Sequence, residues 1–223
     1  MQPWQPLLDF WFGDDADDAP RAARQAPLWW GKSSETDALL ASRFGELAAR
    51  AAAGELARWE DDPAGRLALI LLLDQLPRNL HRHTPAAFAQ DDKARALCLK
   101  GLTLGVDKGL SPLARVFFYL PLEHAESKEQ QARSVALFEA LADEQATDPA
   151  RTTFEGFADF ARRHQVIVDR FGRFPTATPS WAGRARRKRP PSCNSPVRGS
   201  DIKKSPPWAW RGENNRSAPH WMR

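Results

Sequence analysis

Hydrophobic residues recur every three or four positions along most of the first 175 residues, a pattern that predicts amphipathic α-helices. The clearest apolar face consists of Phe154, Phe157, Ala161, His164, Val168 and Phe171. The stretch from Ala64 to Leu76 is apolar nearly all round, which is typical of a central buried helix, so Leu69 and Leu72 are predicted core residues. No segment alternates like a strand with hairpin turns. The pattern therefore predicts an all-α fold.

Capping and breaking residues set the predicted bounds of the helices. Ser34 with Asp37 forms an approximate capping box, and Asp62 before Pro63 predicts another helix start. Pro77 is expected to end the central helix, and Pro121 to break or kink a later one. Further helices are predicted over 5–12, 91–104 and 128–143. Because the connections are short, we expect an array of antiparallel helix pairs, although no sequence repeat is visible.

Charge divides the chain into two parts. Through Pro175 there are 21 Lys and Arg against 26 Asp and Glu, a net charge of −5. From Thr176 onward there are 11 against 2, a net charge of +9. All twelve Phe residues precede residue 175, and no Leu follows it. We therefore predict a helical domain over 1–175 and a disordered basic tail over 176–223, because such a tail cannot bury enough surface to offset its ordering entropy.

Composition also excludes several classes of protein. The two cysteines form no CxxC pair, and the N-terminus lacks the features of a secretory signal, which favours a cytoplasmic protein. The longest apolar run, Leu67 to Leu73, is too short to span a membrane, so no membrane contact is expected. Motifs for phosphate, dinucleotide or metal binding, such as HExxH, do not occur, so no cofactor is expected. The body gives no reason to expect nucleic-acid binding, apart from non-specific contacts of the tail.

Several motifs, taken together, resemble an uncharacterised and mainly bacterial family, domain of unknown function 924. These motifs are Asp9–Phe12, Trp29–Trp30, Leu73–Asn79, Phe88–Asp91, Tyr119–Glu126 and Arg170–Pro175. The resemblance implies an all-α fold similar to tetratricopeptide-like helical arrays, and it implies no activity. It ends at Pro175, where the family pattern continues with His-Arg-Asn. The codons of Thr176–Trp181, read one base out of register, can spell that continuation. The tail is therefore interpreted as a frameshift product, the alternative being a genuine basic tail.

Polar residues gather at two places where predicted helices end. Asp74, Gln75, Arg78 and Asn79 lie at the end of the central helix, and Glu123, His124 and Glu126 follow Pro121. His164 lies on the apolar face of the last helix, and Arg170 and Arg173 flank the turn after it. The predicted ligand-binding residues are Asp74, Arg78, Asn79, Glu123, His124, His164, Arg170 and Arg173. Each also has a structural interpretation, namely helix capping, ion pairing or solvated surface charge.

Three functions fit these residues. The first is a groove that binds a small anionic ligand or a peptide end, with Arg78 as the anion contact. The second is a hydrolase-type enzyme in which His124 or His164 is the general base and Glu123 or Glu126 its orienting carboxylate. The third is a protein-interaction scaffold. The first two predict that Arg78, Glu123 and His164 converge on one pocket. The aromatic residues near the N-terminus, such as Trp11 and Trp29, either line a groove or seal the core.

Overall fold

Helices form the regular structure of residues 2–174, which are the part of the chain that the computed structural model describes. Their bounds are α1 Gln5–Phe12, α2 Asp18–Trp30, α3 Ser34–Ala53, α4 Pro63–Ile70, α5 Leu76–Leu80, α6 Asp91–Leu104, α7 Pro112–Glu123, α8 Lys128–Asp143 and α9 Ala150–Phe171. No strand occurs within residues 2–174. The predicted all-α fold is confirmed. The predicted disorder and frameshift of 176–223 lie outside the described residues.

The core is built around α4 and α7. In α4 and the turn after it, the side chains from Leu67 to Leu73 are buried, and in α7 those from Val116 to Leu120 are buried. The aromatic residues of α1 and α2 join this core: the Trp29 indole donates a hydrogen bond of 2.8 Å to the Trp11 carbonyl, and its ring lies 4.7 Å from that of Phe117. They therefore seal the core, and the prediction that Leu69 and Leu72 are buried is confirmed.

The last two helices, α8 and α9, form an antiparallel pair. Lys128 at the start of α8 lies opposite Asp169 near the end of α9, at 4.0 Å, while Asp143 at the end of α8 lies opposite Arg151. One predicted core position of α9 is wrong. Phe171, the last residue of α9, is 40% exposed instead of buried. The likeness to tetratricopeptide arrays stays a prediction.

The central helix does not end at Pro77, as the sequence predicted. It changes to a π-helical turn at Leu71–Gln75, where the Leu76 N–H donates to the Leu71 carbonyl, and then continues as α5 to Leu80. Pro77 is therefore the second residue of the α-helical segment that follows the π turn, and the helix continues past it. The consequence is that Asp74 lies within the π turn, a distortion that occurs frequently at functional sites.

Three other helix bounds differ from the predicted ones. Pro121 does not break α7, which continues to Glu123, because a proline in the last turn forfeits only one backbone hydrogen bond. The cap of α3 is Ser33, whose hydroxyl accepts the Thr36 N–H at 3.2 Å, instead of Ser34. Helix α2 was not predicted, since proline interrupts its sequence in the first and last turns.

The helices within residues 2–174 include none that is both long and apolar enough to cross a bilayer.

Replacing Leu72 by alanine is expected to lower the free energy of unfolding by about 2–5 kcal/mol. Leu72 is fully buried at the centre of the core, and the surrounding helices cannot close the cavity that its removal leaves. Urea unfolding of Leu72→Ala measures the loss. Leu104→Ala is the matched control, because Leu104 is 61% exposed and its removal opens no cavity. Equal stability of the two variants would contradict the central position of α4 and its π turn.

Candidate active site

The π turn places a carboxylate, Asp74, in the interior of the protein. The Asp74 side chain is fully buried, and Gln75 donates a hydrogen bond to its Oδ2. Its Oδ1 lies 2.8 Å from Nδ1 of His124 and 3.2 Å from Nη1 of Arg78. A buried charge is costly unless it is paired and hydrogen-bonded. These three partners satisfy that condition.

The environment of Asp74 keeps it ionised at neutral pH. Burial alone would raise its pKa, but the charge of Arg78, together with His124 and the Gln75 hydrogen bond, holds the pKa at about 2. An ionised carboxylate can only accept hydrogen bonds, so Nδ1 of His124 must carry the proton between the two groups. In the neutral imidazole the other nitrogen, Nε2, then has a free lone pair. Within residues 2–174, no hydrogen-bond partner is recorded for Nε2.

Arg78 joins Asp74 to the first residue of α6. Its Nη1 and Nη2 donate to the two carboxylate oxygens of Asp91 at 2.9 and 3.0 Å, a bidentate arrangement. Nη1 also donates to the backbone carbonyl of Asp74 at 2.5 Å. The guanidinium carbon lies 5.4 Å from the centre of the Phe88 ring. Both Nη1 hydrogens and one Nη2 hydrogen are therefore used within the protein.

His124 lies at the wall of a surface cleft of about 510 Å³. One side of the cleft comes from the segment leading into α6 and the start of that helix, and the other from the loop between α7 and α8. The lining residues are Phe88, Ala89, Asp91, Asp92, Arg95, His124, Glu126, Ser127 and Gln130. The His124 side chain is 20% exposed, whereas its partner Asp74 is fully buried behind it. We infer that the Nε2 side of the imidazole faces the cleft.

A second histidine–carboxylate pair lies beside the first. His164 Nδ1 is 3.1 Å from Glu123 Oε1 and 3.0 Å from the carbonyl of Phe160 in its own helix. Burial raises the pKa of Glu123, and the neighbouring imidazoles only partly offset this effect. The His164 ring packs against Phe174 with centroids 5.4 Å apart. Neither Glu123 nor His164 is among the residues that line the cleft.

The structure therefore divides the predicted site residues into several groups. Asp74, Arg78 and His124 form one cluster, and Glu123 with His164 forms another; among the eight, His124 alone lines the cleft. Asn79 lies elsewhere and donates to Asp37 at 3.0 Å, while Arg170 and Arg173 are exposed. The expectation that Arg78, Glu123 and His164 share one pocket stays a prediction: Glu123 is close enough to His124 and Asp74 for their charges to affect its pKa, but none of the three residues lines the cleft. The carboxylate bonded to His124 is Asp74, where the sequence suggested Glu123 or Glu126.

Two cleft residues were missed by the sequence analysis. Asp91 was identified as the start of a helix and as part of the Phe88–Asp91 motif but not as a site residue, although it binds Arg78 with both oxygens. Arg95 follows Asp91 by four residues, so the two lie on the same face of α6, and that spacing was the available signal. Arg95 is 32% exposed and pairs with Asp92, which is 89% exposed. Among residues 2–174, no three His, Cys, Asp or Glu side chains are grouped to hold one metal ion.

Replacing Asp74 by asparagine is expected to remove an acid-dependent part of the stability. The pKa of Asp74 is lowered in the folded state, so its contribution is present above pH 4 and is lost as the pH falls towards its folded pKa of about 2. The difference in unfolding free energy between wild type and Asp74→Asn should therefore shrink by about 1 kcal/mol between pH 5 and pH 3, and by about 2 kcal/mol by pH 2. Urea unfolding at pH 5 and at pH 3 measures it.

Other carboxylates do not produce the same result. Burial raises the pKa of Glu123 and of Asp91, so their contributions change with pH in the opposite sense. The charge of Asp74 adds a smaller part to both increases, and Asp74→Asn removes only that part. A stability difference that does not depend on pH would contradict the ionised, buried state of Asp74.

Comparisons with known proteins agree with the fold and name no activity. A model of the family described as bacterial protein of unknown function (DUF924) matches residues 7–180. The match extends five residues past Pro175, where the resemblance was expected to end. A solved structure of a protein of unknown function from Agrobacterium tumefaciens is similar, with 34% identity and a TM-score of 0.61, covering 77% of this chain and 85% of that one. No curated protein matches.

Proposed function

The chain belongs to the bacterial DUF924 family, and since that family's description assigns no activity, we propose from the cleft itself that the protein is a hydrolase-type enzyme. In this proposal His124 is the general base and Asp74 is its orienting carboxylate. The observation that carries the proposal is the 2.8 Å contact between the fully buried Asp74 and His124 at the wall of an open cleft. A histidine whose Nδ1 is held by a buried carboxylate is an arrangement that suits general-base catalysis, since it fixes the ring and leaves Nε2 to accept the proton.

The chemistry follows from the state of the imidazole. Nε2 accepts a proton from a water molecule in the cleft as the water oxygen attacks the substrate, and the imidazolium that forms donates the same proton to the leaving group. Asp74 stabilises the imidazolium and keeps the ring in the Nδ1–H form. The pair Glu123 and His164 has the same chemical groups but does not line the cleft, which favours His124 as the base.

Arg95 is the cleft residue best suited to contact an anionic group of the substrate. Its ion pair with Asp92 is exposed, and such pairs contribute only about 0–1 kcal/mol, so a ligand carboxylate can replace Asp92. Arg78, the contact that the sequence suggested, is already bonded to Asp74 and Asp91. Asp92 and Glu126 also line the cleft, so a monoanion fits better than a dianion. Binding of an anion at Arg95 without catalysis is the second candidate function.

Hydrolysis of p-nitrophenyl acetate and of p-nitrophenyl phosphate by the wild-type protein tests the proposal, with Arg95→Gln as a companion variant. We expect turnover of the acetyl ester above the rate in buffer, and binding of acetate that weakens in Arg95→Gln. Acetate binding without turnover of either ester would favour the second function. Absence of both would favour the scaffold suggested by the sequence.

A further inference from the structure

We infer that Arg78 is a positioning residue, which holds Asp74 in the orientation that fixes the His124 ring and ties Asp91 to the same unit. This inference rests on the proposed function of His124. It assigns to Arg78 a role different from anion binding, and the role is carried by contacts to two carboxylates and to one aromatic ring.

The guanidinium group of Arg78 lies between two carboxylates. Nη1 is 3.2 Å from Asp74 Oδ1 and 2.9 Å from Asp91 Oδ1, and Nη2 is 3.0 Å from Asp91 Oδ2. One planar, permanently charged group therefore fixes both carboxylates. Two carboxylates without a cation between them would repel each other in the interior.

His124 and Arg78 both contact one oxygen atom of Asp74. Nδ1 of His124 lies 2.8 Å from Asp74 Oδ1, and Nη1 of Arg78 lies 3.2 Å from it. Removing Arg78 leaves the carboxylate without its charged partner, and it can then rotate or take up a proton. In either state the carboxylate no longer holds the Nδ1–H form of His124, because a rotated oxygen is out of reach and a protonated one can donate instead of accept.

Arg78 also contacts the wall of the cleft that lies opposite His124. Asp91 lines the cleft, and its recorded hydrogen bonds both come from Arg78. The Phe88 ring, which also lines the cleft, lies against the same guanidinium at 5.4 Å. Arg78 thus links the wall at the start of α6 to the helix that carries Asp74, and the distance of that wall from His124 depends on it.

The matched control for this inference is Arg82, which lies four residues later, just past the end of α5. Arg82 also binds an aspartate with two nitrogens, since Nε and Nη2 donate to Asp37 at 2.5 and 2.9 Å. The two arginine side chains are similarly exposed, at 22% and 26%. The aspartate that Arg82 binds, Asp37, is bonded to Asn79 and not to His124, so loss of Arg82 should affect stability without affecting His124.

The experiment measures the protonation of both ring nitrogens of His124 in uniformly ¹⁵N-labelled protein by long-range ¹H–¹⁵N correlation, without any substrate. Wild type and Arg82→Gln should show the Nδ1–H form. In Arg78→Gln the Nε2–H form should become the main neutral species, and Arg78→Lys should lie between, because lysine keeps the charge but not the bidentate geometry.

An Nδ1–H form that persists in Arg78→Gln, as it does in Arg82→Gln, would show that Arg78 is only structural and would overturn the inference. If Arg78→Gln does not fold, Arg78→Lys decides, and an unchanged wild-type signal in that variant overturns it equally. Failure of the proposed function is a separate result: hydrolysis that is unaffected by replacing His124 would remove the catalytic role while leaving the measured protonation of His124 as it is.

Discussion

Replacing His124 by glutamine is expected to reduce the rate of p-nitrophenyl acetate hydrolysis by about 10²–10⁴-fold, the usual contribution of a general base. Glutamine can still hydrogen-bond to Asp74, but it cannot accept a proton from water at neutral pH. The side chain lies at the wall of the cleft and is 20% exposed, so the variant should keep most of its stability. The rate and the melting temperature of the same preparation are the two measurements.

The control is His164→Gln. His164 has a carboxylate partner at 3.1 Å, as His124 does at 2.8 Å, but it does not line the cleft. Its replacement should leave the rate within about threefold of wild type, a difference of less than 1 kcal/mol in activation free energy. A loss of rate in His164→Gln as large as that in His124→Gln would contradict the assignment of His124 as the general base.

Replacing Arg78 by alanine is expected to lower the free energy of unfolding by about 3–5 kcal/mol, the range found when one partner of a buried ion pair is removed. Asp74 is fully buried and would lose its guanidinium partner, and Asp91 would lose the two hydrogen bonds that Arg78 donates to it. Urea unfolding measures the change.

Asp91→Asn provides the comparison for this second prediction. It removes a charge from the same cluster but leaves Arg78 paired with Asp74, so its cost should be smaller than that of Arg78→Ala. An Arg78→Ala variant that is as stable as wild type would show that the buried carboxylate does not need its cation, and the electrostatic account of the cluster would then be wrong.

The sequence could predict the helices that have clear caps and clear apolar faces. The predicted bounds of α1, α6 and α8 agree with the structure, since Gly13 and Gly105 end helices with positive φ angles and Ser127 caps α8. It could not predict the π turn at Leu71–Gln75, because a π turn and an α turn have the same apolar composition. The two prolines gave the wrong helix ends, because the helical segments continue past Pro77 to Leu80 and past Pro121 to Glu123.

The sequence predicted which polar residues belong to the candidate site, but not which carboxylate pairs with which histidine. The polar clusters around Asp74 and around His124 were identified because they follow apolar helices, and these two residues, 50 positions apart, are the ones that meet. Which carboxylate meets which histidine depends on how α7 packs against the π turn, and no local pattern contains that information. The same is true of Asp91, whose bond to Arg78 joins the ends of two helices.

The most direct test of the central claim is a double-mutant cycle on hydrolysis, with Asp74→Asn, His124→Gln and the two combined. Groups that act as one unit lose their effect together. If Asp74 acts by orienting His124, each single variant should lose most of the rate, and the combined variant should be no slower than His124→Gln. If the losses multiply, or if Asp74→Asn retains the wild-type rate, Asp74 and His124 do not form a catalytic pair, and the assignment of this cleft as a hydrolytic site is contradicted.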